Sequence, residues 1–275
     1  MTNEPLVSVV VTTKNNHATL PACLESISRQ TYPNIELIVV DNFSTDDTRQ
    51  IAKRYTPHVF KKGPERCTQR NYAAQQAKGI YIAIIDSDME LAPEVIADCV
   101  KAHAVSGVAG IIIPEESFGQ GFWAQCKRLE RSFYVGVDYI EAARFFKRKL
   151  FQRVGGYDEA LVSGEDWDLS QRVQAQGKLA RITSFIRHNE GHISLLKTIR
   201  KKYYYAQKFA RYTQKYDGQS TTKQQISVVG RFKLFLSQPK KLFHNPVLGI
   251  GMLFMKLCEF GFGAAGYAQA KWIKT

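Results

Sequence analysis

Apolar and polar positions fall into blocks along the first half of this chain. Leu6 to Thr13 is almost continuously apolar and ends in small polar residues. Ile35 to Asp41 and Tyr81 to Asp86 repeat that form, each ending on a carboxylate. Short apolar runs rich in β-branched residues predict buried strands of a parallel sheet. Between them the period changes to that of helices. Ala18–Arg29, Asp46–Tyr55, Glu65–Ala77 and Pro93–Ala104 are predicted helices, with Thr45 or Asp46 capping the second and Pro93 in the first turn of the last. Ala109–Ile113 reads as a further strand. Strands alternating with helices predict an α/β fold: a Rossmann-like, mostly parallel sheet with right-handed crossovers and helices on its flanks.

The middle of the chain is mixed. It predicts a helix over Phe122–Tyr134, a strand over Ala143–Phe146, a turn at Gly155-Gly156, a helix over Asp166–Ala175 and a strand over Leu179–Ile186. After that only helices are expected: Ser194–Tyr216, then a loop over Asp217–Thr222, then Ile226–Ser237 and Val247–Ala270. The expected division is a sheet domain over 1–192 and a helical, basic and apolar appendage over 193–275.

Charge sharpens that division. Of a net charge of +13, most sits between Lys197 and Lys241, where twelve Lys or Arg face the single acid Asp217. A local basic block implies a polyanionic neighbour. Arg200-Lys201-Lys202-Tyr203-Tyr204-Tyr205 interleaves cations with aromatics, a pattern suited to a membrane interface or to nucleic acid. Leu242 to Met255 then carries no formal charge, before Lys256 and Glu259 interrupt. Fourteen such residues are too few to span a bilayer. They suit sideways insertion, packing on the core, or cover by a dimer partner, and they turn the balance against nucleic acid. Five scattered cysteines, none at metal spacing, read as reduced buried thiols. The first six residues lead straight into a strand without a signal peptide.

Candidate chemistry sits at the strand ends, where open α/β sheets bind ligands. Asp86-Ser87-Asp88 closes the third apolar run with few basic residues beside it. Two such acids suit a divalent cation, and the cation suits a diphosphate. Asp41 could accept a base N–H or cap a helix. Arg66 and Arg70 share one helix face with Asn71 following, and could reach phosphate or lie in solvent. Glu165 and Asp166 follow Gly164 at a helix start, where the dipole keeps acids ionised; they suit a general base or ordinary capping. His188, or His192, could complete a metal site or be structural.

Taken in order, Val9–Asn15, Val39–Thr48, Arg66–Asn71, Asp86-Ser87-Asp88, Gly155–Glu159, Gly164–Asp168 and His188 resemble the motifs of family 2 glycosyltransferases, over residues 5–215. The resemblance implies the GT-A fold and inverting sugar transfer from a nucleoside diphosphate sugar, uridine before guanosine, to an acceptor hydroxyl. It implies nucleotide contacts from Thr13, Asn15, Asp41, Arg66, Arg70, Asn71 and Asp86. It implies Mg²⁺ or Mn²⁺ held by Asp88, Asp86 and His188, with Asp166 as base beside Glu165. One departure is Phe43, where the family carries glycine, which leaves base selectivity open. With the basic tail, the expectation is a cytoplasmic enzyme peripheral to the inner face of the cell membrane, acting on a polyprenyl-linked or cell-envelope acceptor, with a homodimer left open. A sugar-1-phosphate nucleotidyltransferase is disfavoured because Thr12-Thr13-Lys14-Asn15-Asn16 lacks glycine, and a dinucleotide oxidoreductase because no Gly-x-Gly-x-x-Gly follows a strand. Intact acids at 86, 88 and 166 argue against a non-catalytic binding module.

Overall fold

The first strand, β1 (Val7–Thr13), is buried along its whole length. In the computed structural model, which describes residues 4–105 and 107–272, it lies inside the sheet, with a parallel strand on either side. The chain continues through α1 (Leu20–Ser28), β2 (Ile35–Asp41), α2 (Thr48–Lys53), β3 (Val59–Lys61), α3 (Arg66–Gln76), β4 (Tyr81–Asp86), β5 (Met89–Leu91), α4 (Val95–His103), β6 (Val108–Ile112) and β7 (Glu115–Gln120). It goes on through α5 (Phe122–Ser132), β8 (Ala143–Lys147), α6 (Arg148–Arg153), α7 (Glu165–Gln174), β9 (Lys178–Arg181) and β10 (Ile186–His192). Five helices close it: α8 (Leu195–Lys215), α9 (Ser220–Ile226), α10 (Val228–Leu236), α11 (Pro239–Leu242) and α12 (Pro246–Trp272).

The chain divides into two units. The first holds 1–115, 142–160 and 165–189; the second holds 116–141, 161–164 and 190–275. The first unit carries a seven-stranded sheet in the order β3-β2-β1-β4-β8-β6-β9. Strands β1 to β4 run parallel, and β8 is antiparallel to both β4 and β6. Side-chain alternation sorts the two faces. Val7, Val9, Val11, Ala83 and Ile85 point into one core with Leu24 and Ile96. Val10, Ile82 and Ile84 point into the other with Ala73, Phe151 and Leu169. Each fully buried aliphatic side chain contributes about 1.5–3 kcal/mol, which is why both faces of these strands read as apolar.

The second unit is mostly helical. Its core joins Cys126 and Phe133 of the α5 segment to Phe235, Leu242, Met252 and Met255. That is why 116–141 belongs with the C-terminal helices: the apolar face of α5 finds its partners there. Gly251 permits the close approach, since a Cβ at that position would collide with the Phe122 ring and the Cys126 sulfur. All five cysteines are free thiols; four are buried and Cys258 is half-buried.

Several expectations change. The strand expected over Leu179–Ile186 is two strands, because Thr183-Ser184 turns the chain between β9 and β10. The loop expected over Asp217–Thr222 gives way to α9 at Ser220. The C-terminal apolar segment is longer than its charge-free core. Helix α12 runs 27 residues, and 246–270 is long and apolar enough, by length and composition, to cross a membrane. Lys256 and Glu259 do not interrupt it, because they pair with each other at 2.6 Å.

Candidate active site

Three parallel strands end side by side and set the first half of the site. Thr13 is in register with Asp41 on β2, and Thr12 with Asp86 on β4. Asp41 and Asp86 therefore flank β1, about 10 Å apart at the usual strand spacing. Asp41 Oδ2 accepts from the Ser44 N–H at 3.0 Å. Its Oδ1 is buried without a hydrogen-bond partner among the described residues, and so is Thr13 Oγ1 beside it. Two unsatisfied buried acceptors on neighbouring strand ends are costly unless a ligand answers them. Phe43, at the glycine position, adopts φ of 52°. That left-handed conformation costs a non-glycine residue roughly 1–2 kcal/mol, and the loop holds it with its ring largely in solvent.

Asn15 and Asn71 are hydrogen-bonded to the loops around them. Asn15 Oδ1 accepts from the Thr45 N–H at 2.8 Å. Asn71 donates through Nδ2 to Tyr157 O at 2.8 Å and accepts the Tyr157 N–H on Oδ1 at 2.8 Å. It thereby holds the Gly155-Gly156 turn. Gly156 needs its φ of 62° there, and a Cβ would lie 2.5 Å from Asn71 Oδ1.

The second half of the site is a chain of charges. Arg70 is fully buried on α3. It donates through Nη2 to Asp86 Oδ1 at 2.7 Å and through Nη1 to Asp166 Oδ1 at 2.9 Å. Its guanidinium stacks on the Tyr157 ring at 4.7 Å, and the Tyr157 hydroxyl donates to Asp166 Oδ1 at 3.1 Å. On the other side of Asp86, Arg144 Nη1 lies 3.5 Å from Oδ2, and Arg144 Nε donates to Glu115 Oε1 at 2.8 Å. Glu115 Oε2 lies 3.5 Å from His188 Nδ1, and His188 Nε2 lies 3.3 Å from Asp88 Oδ2. The run is Asp166, Arg70, Asp86, Arg144, Glu115, His188, Asp88. Glu165 joins from α7, with Arg66 Nε 2.6 Å from its Oε1. The expectation of few basic groups near Asp86 is thus corrected, since two arginines hold its carboxylate.

The protonation equilibria follow this geometry. Burial alone would raise Asp86, but Arg70 and Arg144 hold it well below the usual carboxylate range. Burial and then Asp166 raise Glu165 above its ordinary value despite Arg66 and Arg70. Burial alone would lower His188, but hydrogen bonds to Asp88 and Glu115 push it up to about 10.

This arrangement suits a divalent cation. The four carboxylates of Asp86, Asp88, Glu115 and Asp166 meet Arg70, Arg144 and a protonated His188, which leaves one negative charge over, and two once His188 gives up its proton to a metal. Carboxylates are ligands that Mn²⁺ and Mg²⁺ accept. No group of three or more His, Cys, Asp or Glu side chains is arranged as a complete metal site among the described residues. The protein would therefore supply part of a coordination shell, and a phosphate ligand or water the rest.

Sequence reasoning missed Arg144, Glu115 and Tyr157. The signal for Arg144 was a charged residue inside the otherwise apolar strand Ala143–Phe146.

Comparison with known proteins bears on this site. Residues 8–157, more than half of the chain, match the family model of Glycosyl transferase family 2. A Mycobacterium bovis protein named PGL/p-HBAD biosynthesis glycosyltransferase is 29% identical over 181 residues, 61% of this chain and 69% of that protein. The Sinorhizobium fredii protein y4gI is 29% identical over 184 residues, 62% of this chain but only 20% of its own length. Among solved structures, a Pyrobaculum calidifontis mannosyltransferase in complex with GDP-Man and Mn²⁺ covers 100% of this chain and 89% of its own, with a TM-score of 0.66 at 19% identity. S. aureus TarS 1-349 in complex with UDP-GlcNAc covers 97% of this chain and 92% of its own, with a TM-score of 0.54 at 16% identity. Both share the fold.

Proposed function

We propose, from the premise that this chain belongs to glycosyl transferase family 2 and is a glycosyltransferase of GT-A fold, that it moves a sugar from a nucleoside diphosphate sugar to an acceptor hydroxyl with inversion. The observation that carries the reading is the run of charges from Asp166 to Asp88, which spans a would-be base and a would-be metal ligand through two buried arginines, Arg70 and Arg144.

The base of the donor docks at Asp41 and Thr13, whose buried acceptors Oδ1 and Oγ1 are open to hydrogen bonding. Uridine is the first base to test, and guanosine the second. Asp88 and His188 would hold Mg²⁺ or Mn²⁺. When bound, that ion stabilises negative charge on the leaving nucleoside diphosphate. Asp86, gripped by Arg70 and Arg144, orients Arg70 rather than offering both oxygens to a metal. Arg70 and Tyr157 engage Asp166 Oδ1 and leave Oδ2 to accept the acceptor's proton. The acceptor oxygen then attacks the anomeric carbon, the bond to the diphosphate breaks, and its electron pair leaves with the diphosphate. Glu165, paired with Arg66, fixes the start of α7 and so the position of Asp166. The acceptor we favour is a polyprenyl-linked or cell-envelope glycan met at the inner face of the membrane, in keeping with the basic segment from Lys197 to Lys241.

The test is a thermal-shift panel of nucleoside diphosphates and their sugars with Mn²⁺, since ligands that bind the native state raise the melting temperature. A shift by a nucleotide sugar that vanishes with chelator and in Asp88→Ala supports the reading. No shift by any nucleotide sugar, or an equal shift in Asp88→Ala, overturns the site as described.

A further inference from the structure

The second unit carries a surface that sugar transfer does not use. Along α12, Val247, Ile250, Phe254 and Leu257 are between 52 and 67 % exposed. Their spacing of three, four and three residues puts them in one stripe on the helix. Phe122 at the start of α5 is 41 % exposed, and its neighbour Trp123 lies with its ring 6.3 Å from that of Phe254. Isolated exposed apolar side chains are ordinary, but a contiguous row widened by aromatics marks an interaction surface.

The opposite side of α12 is held by charge. Lys256 Nζ lies 2.8 Å from Glu130 Oε1 and 2.6 Å from Glu259 Oε2. Lys127 Nζ lies 2.8 Å from Glu130 Oε2. All four are buried side chains shared between α5 and α12. A helix crossing lipid alone would place Lys256 and Glu259 in hydrocarbon, at a cost of several kcal/mol. A helix anchored along one side and apolar on the other is built to lie along an interface.

Charge identifies the partner. From 218 to 258 there is no carboxylate, while Lys223, Lys233 and Lys240 are exposed there; Arg231 and Lys256 are buried and do not add to that surface charge. On α10, Lys233 shares a face with exposed Val229 and Leu236, and Lys240 on α11 is exposed as well. A two-fold pairing of this surface with a second copy would set the same cations against one another. An anionic lipid surface accepts both the cations and the apolar stripe.

We propose that this face is a docking surface for an anionic bilayer, with the outer stripe of α12, Phe122 and Trp123 sunk into the headgroup boundary and Lys233 and Lys240 against acidic headgroups. The chain is thereby monotopic: α12 lies in the membrane plane and does not cross it. This deepens the acceptor reading given above, yet it stands on the second unit alone.

The experiment is flotation of the full chain with vesicles of phosphatidylcholine, with and without phosphatidylglycerol, at low and high salt. The parent protein floats with anionic vesicles and is released in part by salt. Ile250→Glu with Phe254→Glu abolishes flotation. Lys233→Glu with Lys240→Glu weakens partition by more than about tenfold, as expected at about 1 kcal/mol per basic residue at a charged surface. Both variants keep the parent's melting temperature and its Mn²⁺-dependent response to nucleoside diphosphates. If the glutamate pair unfolds the protein, Ile250→Ala with Phe254→Ala makes the same test with a smaller loss. Four results overturn the proposal: no flotation of the parent; flotation untouched by the stripe variants; a lipid-free dimer in light scattering that those variants dissolve; or membrane retention that resists alkaline carbonate, as a spanning helix would. A failed nucleotide response with intact flotation overturns the transfer reading and leaves the docking surface standing.

Discussion

Two ionic clusters lie buried in this molecule, one in each unit, and they differ in how they end. In the first unit the run from Asp166 to Asp88 is open: its terminal acids keep side-chain exposures of 31 and 38 %, and its carboxylates outnumber its arginines. In the second unit Lys127, Glu130, Lys256 and Glu259 form a closed square of two cations and two carboxylates, none more than 13 % exposed, with Lys202 of α8 at its edge, 3.9 Å from Glu259, as a third cation. The closed cluster fixes helices. The open one holds a charge in reserve for a ligand. Burial and pairing are common to both, so neither alone marks a reactive site; the uncompensated, accessible end does.

The largest expected effect breaks the open cluster at its base. Asp166→Asn lowers turnover by about 10²–10⁴-fold while donor affinity stays within a few-fold, checked by a nucleotide-release assay beside titration calorimetry. Native-rate turnover in that variant removes Asp166 from the reaction. Next is the closed cluster. Lys256→Met leaves Glu130 and Glu259 short of a cation and destabilises the fold by about 3–5 kcal/mol in urea melts, whereas adding Glu259→Met recovers much of that loss. A single variant as stable as the parent would mean the square contributes little. A smaller effect concerns Glu115, whose Oε2 lies 3.5 Å from His188 Nδ1. Glu115→Gln weakens Mn²⁺ by about 10–100-fold, because the imidazole loses its orienting carboxylate. Metal titration of the donor-induced thermal shift reads this out.

The smallest effect is on acid stability. Burial would raise Glu130, but Lys127 and Lys256 outweigh it and hold its carboxyl well below the usual range. A depressed folded value contributes stability above the unfolded value, near 4.5, and that contribution is lost as pH falls below it. Urea melts followed by circular dichroism should therefore show Glu130→Gln less stable than the parent at pH 7, with the gap narrowing as pH falls from 4.5 to 3.

Much of this was legible because strands announced their own ends. Asp41, Asp86 and Asp88 follow apolar runs, so their places at the sheet edge could be read directly. The three-residue strands β3 and β5 carried no such period and were not seen. Arg144 and Glu115 meet Asp86 and His188 across long stretches of chain, and only tertiary packing brings them together. Asn71 likewise reaches far along the chain: its amide holds the backbone of Tyr157 after the Gly155-Gly156 turn, a bond its own neighbours in sequence do not announce. In α12, Lys256 and Glu259 read as interruptions, although opposite charges three residues apart on one helix face are a pair that can be buried together.

One guanidinium, that of Arg70, is bonded both to Asp86 and to Asp166, the acids that the proposed reaction puts on the leaving-group side and on the incoming side. Under that proposal the two ends of the reaction cannot be retuned separately. An engineer who swaps Asp86 to change donor preference also shifts the electric field at Asp166, and a natural drift at either carboxylate has to be answered at the other.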